Sequence, residues 1–85
     1  MERLATLPPD VALHARPAGV LVREATAFAA PIELRANGRS ANAKSILEVL
    51  SLGVAGGGDV SIVASGDGAS EAADRLVQVI ADLAE

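Results

Sequence analysis

Residues 32–43 read IELRANGRSANA. Apolar and polar side chains alternate over 32–36, the period-2 signature of a strand with one buried face. Asn37-Gly38 follows. This pair favours a two-residue type I′ turn, because both of its positions need positive φ. The return strand is predicted over Arg39–Ala43. Immediately after it, residues 45–52, SILEVLSL, read as a short helix with Ser45 as N-cap and Gly53 as its stop. A hairpin feeding a short helix is the middle of the molecule, and the two flanks complete it.

On the C-terminal side, Gly56-Gly57-Gly58 marks a turn. It lacks the lysine and following helix of a nucleotide-binding loop. Residues 59–65, DVSIVAS, alternate as a strand with Val60, Ile62 and Ala64 on one face. GDGA at 66–69 turns the chain again. Ser70 is the expected cap of a last helix, whose stripe is Ala73, Leu76, Val77, Ile80 and Leu83. On the N-terminal side, Pro31 follows a helix that begins near Ala15 and carries Ala18, Leu21, Val22, Ala25 and Phe28 on one stripe. Pro8-Pro9-Asp10 ends a first strand read over 3–8. The order is β-α-β-β-α-β-α. Every helix has a single apolar stripe, so one sheet covered by helices on one face is the natural packing.

Composition limits the chemistry. The 85 residues form one expected domain, 1–85, and 51% of them are apolar, with Phe28 the only aromatic residue. There is no cysteine, so no disulfide or thiolate site exists. With one histidine and no converging carboxylates, no metal site is expected, and no cofactor is called for. The net charge is −4, with residues 1–44 at +2 and residues 45–85 at −6. An acidic chain without stacking aromatics is a poor nucleic-acid binder. MERLATLPPD is neither a signal peptide nor a membrane span, so the expected location is the cytoplasm.

The only histidine, His14, lies in ALHARPAG, residues 12–19, just before the first helix, with Arg16 and Pro17 after it. A helix start offers unpaired N–H groups and a partial positive charge, which together attract anions. An imidazole there could take a phosphoryl group, with Ala15, Arg16 and Pro17 forming the helix start that stabilises it and Arg16 adding a cation. Pro17 shapes the first turn without adding a donor.

LHARPAG, the run NGRSANAKSILEVLSLGV and the element order together resemble HPr, the histidine-containing phosphocarrier of the bacterial phosphoenolpyruvate:sugar phosphotransferase system. The resemblance covers the whole chain. It implies an α+β open-faced sandwich: a four-stranded antiparallel sheet covered on one face by three helices. It implies a carrier rather than a turnover enzyme. His14 would be phosphorylated on Nδ1 by enzyme I and would pass the group to an enzyme IIA domain, with Arg16 balancing its charge. Lys44-Ser45 resembles the family's regulatory serine site, the target of a dedicated kinase/phosphorylase. By the same likeness Val49 and Leu52 point inward, leaving Ile46, Leu47 and Leu50 as an exposed docking patch on a monomer. A carrier of a nitrogen-regulatory or dihydroxyacetone branch, or a domain of a longer fusion, would show the same motifs. A binding module acting through Ser45 without a histidine relay is the reading from a different class. One departure stands out. Val11-Ala12 replaces the family's small polar residue and glycine before Leu-His, so a loop needing positive φ there would strain Ala12.

Overall fold

The structure, a computed structural model, describes residues 1–84. The hairpin forms as its sequence requires. Strands β2 (Ile32–Ala36) and β3 (Arg39–Asn42) pair antiparallel with Leu34 opposite Ala41. Between them Asn37 and Gly38 take φ of +54° and +74°, both positive as a type I′ turn demands. Strand β4 (Asp59–Ala64) pairs antiparallel with β2, placing Ile62 opposite Leu34. Strand β1 (Glu2–Thr6) pairs with the other edge of β4, placing Ala5 opposite Val60. The sheet order is β1-β4-β2-β3.

Alternation sorts the side chains. Ala5, Ile32, Leu34, Ala41, Val60, Ile62 and Ala64 are buried on one face. That face is covered by helices α1 (Ala15–Thr26), α2 (Ile46–Leu50) and α3 (Ala69–Ala81). Helix α1 buries Ala18, Leu21 and Ala25, and α3 buries Ala72, Ala73, Leu76, Val79 and Ile80. Leu21, Leu34, Leu76 and Ile80 are each fully enclosed, and burial of such a side chain stabilises by about 1.5–3 kcal/mol. Among the described residues no polar or charged side chain is buried. The opposite face of the sheet is mostly polar, with Leu4 exposed on it. Thr6 donates to Asp59 (2.7 Å), Ser61 to Glu2 (2.6 Å), and Arg35 to Glu33 (2.9 and 3.2 Å). The Glu33 carboxylate, by that bonding, raises the Arg35 guanidinium pKa. Ion pairs Arg3–Asp74 (3.1 Å) and Glu24–Arg75 (2.8 Å) are exposed and worth about 0–1 kcal/mol each, so packing and not charge sets the fold.

The structure corrects several boundaries. Strand β1 ends at Thr6, not residue 8, because Pro8 has no N–H to continue a ladder. The return strand stops at Asn42, and the short helix occupies only Ile46–Leu50. Ser70 does not cap α3. The helix starts at Ala69, and Gly68 is its N-cap at φ +80°, a left-handed conformation that glycine takes without penalty. Phe28 lies two residues beyond α1, and with Val22 and Val77 it is half-buried at the edge of the core.

Candidate functional site

His14 is the N-cap residue of α1, with extended backbone (φ −81°, ψ −176°) and an exposed side chain that makes no capping hydrogen bond. Its backbone is fixed on both sides. The His14 N–H donates to Ala12 O (2.8 Å), closing a three-residue turn, while His14 O accepts the first helical bond from Ala18 N (2.8 Å). One residue earlier, buried Leu13 donates its N–H to Val54 O (2.9 Å). The main chain is thus anchored and the ring is left free in solvent.

The same geometry accounts for the donors of the helix start. The first amides of a helix lack intrahelical partners. Here the His14 amide is spent on Ala12, Pro17 has none, and the helical ladder begins at Ala18. That leaves the N–H groups of Ala15 and Arg16, the two residues after His14, open at the helix start. Pro17 is buried and Ala15 and Arg16 are exposed. Among the described residues Arg16 has no hydrogen bond or ion pair, and no acidic residue occupies the first turn. A cation at a helix N-terminus is electrostatically unfavourable by itself. The arrangement makes sense as a seat for an anion.

Ala12 is not strained. Among the described non-glycine residues only Asn37 has positive φ, so the loop before His14 reaches its position through the Ala12–His14 turn and dispenses with a glycine. Val11, the other departure, is buried in the core.

His14 and Ala15 line a shallow hollow together with Ala12, Leu13, Leu50, Gly53, Val54 and Ala55. Of the expected docking residues, Leu50 alone reaches this hollow. It is half-buried and packs against the core, which corrects its expected exposure. Ile46 is 38% exposed and Leu47 78% exposed, while Val49 and Leu52 point inward. Ser45 is the N-cap of α2: its Oγ accepts from Glu48 N (3.4 Å), and Glu48 accepts in turn from Asn42 N (3.0 Å). Lys44 is engaged elsewhere, donating to Phe28 O (2.7 Å) at the end of α1. Gly53 and Val54 close the run NGRSANAKSILEVLSLGV, but neither carries a reactive side chain, and Ala55 lies beyond it. Their contribution is backbone and shape. Among the described residues no group of three histidine, cysteine, aspartate or glutamate residues could hold a metal, and no helix is long and apolar enough to cross a membrane.

The family model described as the PTS HPr component phosphorylation site matches residues 1–82. This chain belongs to the HPr family. The phosphocarrier protein HPr of Vibrio cholerae is 40% identical over 82 residues, covering 96% of each chain. A crystal structure of HPr from Thermoanaerobacter tengcongensis superposes with a TM-score of 0.88 at 38% identity, over 94% of this chain and 90% of that one. A second structure from that organism, described as an HPr dimer, gives 0.74 at 43% identity, over 80% and 78%. HPr is a phosphocarrier of the phosphotransferase system and not a turnover enzyme. The open-faced sandwich implied by the sequence resemblance is the fold observed.

Proposed function

We propose that His14 is the carrier residue. Its Nδ1 lone pair forms the N–P bond as the bond to the donor, phosphorylated enzyme I, breaks. The group then leaves for an enzyme IIA of a sugar permease, and the imidazole is regenerated. The supporting observation is the exposed ring beside two unpaired amides, those of Ala15 and Arg16, at a helix start with a free guanidinium. These donors offset the charge of the phosphoryl group without enclosing it. Stabilisation at such an exposed helix end is of order 1 kcal/mol, which leaves the group transferable. Pro17 contributes shape and adds no donor.

Docking is assigned to Ile46 and Leu47, with Leu50 forming the floor between them and His14. Two partners in turn must reach the same face, so the carrier acts as a monomer, with residues 1–85 as one domain, in the cytoplasm. Regulation is assigned to Ser45. A kinase/phosphorylase would esterify its Oγ, placing a dianion next to Ile46 and Leu47 and opposing the approach of enzyme I.

Incubation with enzyme I and phosphoenolpyruvate tests the relay. An acid-labile label is expected on the native chain and none on His14→Ala. Retention of histidine-type label by His14→Ala overturns the assignment.

A further inference from the structure

We infer that Gly56 is a positioning residue for phosphoryl transfer, holding the loop that aims His14. The inference rests on the carrier reading of His14. The segment before His14 has little regular structure of its own, and it is laid against residues 54–58. Leu7 N donates to Gly58 O (2.9 Å), Gly57 N to Pro8 O (3.0 Å) and Leu13 N to Val54 O (2.9 Å). These three bonds fasten both ends of the 7–13 loop to one short template. The template must therefore come very close to the loop, and Gly56 is where it does. A Cβ at Gly56 would overlap the carbonyl oxygen of Pro9, and would stand 3.1 Å from the Pro9 carbonyl carbon and 3.2 Å from Val11 N. All three are main-chain atoms of a stretch held by a proline pair, so none can swing aside as the end of a side chain would. Gly56 itself has no positive φ, so its requirement for glycine is one of space and not of backbone conformation.

The consequence runs along the chain. A side chain at 56 pushes Pro9 and Val11 outward, and the displacement reaches Leu13, whose bond to Val54 sets the position of His14. The docking residues Ile46 and Leu47 are untouched. The effect should therefore fall on the chemical step and not on encounter, because reacting groups misplaced by about 1 Å lose up to about a hundredfold in rate.

The test is steady-state phosphorylation of the full chain by enzyme I and phosphoenolpyruvate. Gly56→Ala should lower kcat roughly tenfold while leaving KM within about twofold. Pro9→Gly added to that variant, which frees the backbone that carries the obstructing carbonyl, should recover much of kcat. Gln78→Gly, on the exposed face of α3, provides a destabilised control that should keep its kcat. An unchanged kcat in Gly56→Ala, a loss confined to KM, or an equal loss in Gln78→Gly overturns the inference. If the native chain takes no label at His14, the carrier reading itself falls. A labelled native chain with unaltered Gly56→Ala kinetics removes the positioning role alone.

Discussion

Helices α1 and α2 begin in opposite ways. The start of α2 is closed by its own side chains: Ser45 accepts from the Glu48 amide, and Glu48 supplies an acid to the first turn and binds Asn42 N. The start of α1 is left open, with a histidine that does not cap, an arginine in the first turn and no acid. By the ordinary rules of helix stability α1 is the badly made terminus. Local rules are broken where function needs it, and the open amides of Ala15 and Arg16 are what an incoming phosphoryl group would use. The closed terminus carries the exposed apolar residues Ile46 and Leu47 instead. On the proposed reading, one helix start serves chemistry and the other contact.

The strongest way to break this contrast is to finish the cap on α1. His14→Ser should abolish phosphoryl carriage and at the same time stabilise the fold by about 0.5–1 kcal/mol, because serine caps a helix that histidine leaves uncapped. Label uptake and thermal unfolding measured on one preparation decide it. A variant that loses stability would show that the ring has packing value the open geometry does not suggest. Next in size is Leu47→Asp on the contact side. Leu47 is 78% exposed, so the fold should hold, while KM for enzyme I rises about thirtyfold if Leu47 is an interface anchor worth about 2 kcal/mol. Unfolding of that variant at ordinary temperature would place Leu47 in the core and dissolve the division of labour.

A subtler probe removes a single donor. Ala15→Pro deletes one open amide at the first helical position, where proline is favoured, and the extended backbone of His14 (ψ −176°) suits a residue preceding proline. Stability should change by less than about 0.5 kcal/mol. The loss of one such donor, at most about 1 kcal/mol, should slow phosphoryl transfer up to about fivefold, with KM unchanged. Transfer at the native rate would mean that the helix amides take no part.

The two termini also differ in how far their sequences disclosed them. Asn37-Gly38, the stripes of α1 and α3 and the LHARPAG motif all act through side-chain type and spacing, and each was legible. The strand order β1-β4-β2-β3 was not, because pairing partners leave no mark in local periodicity. The start of α3 differs from the cap that Ser70 suggests: serine is the commoner cap, whereas GDGA provides two glycines that take positive φ at 66 and 68. Least legible was the fastening of the His14 loop to residues 54–58. Backbone-to-backbone bonds such as Leu13 N to Val54 O depend on no particular side chain, so Gly56-Gly57-Gly58 reads in sequence only as a turn. Ala12 likewise escapes strain through a main-chain hydrogen bond, from His14 N to its own carbonyl, which no side chain announces.

The smallest expected effect concerns the closed terminus. Ser45→Ala removes the N-cap of α2 and should cost about 1 kcal/mol of stability. The Oγ to Glu48 N distance of 3.4 Å is long for a strong bond, which argues for the lower part of the usual range. Glu48 retains its bond to Asn42, so the helix should stay in place and Leu47 with it. Phosphoryl transfer from enzyme I should then proceed at the native rate, since neither the open amides of α1 nor the hollow beside His14 includes Ser45. Denaturant unfolding read beside transfer kinetics separates the cases. A stability loss with intact transfer leaves the two starts independent. Slowed transfer would show that the α2 cap also holds Leu50 against the His14 hollow, joining contact and chemistry through a single side chain.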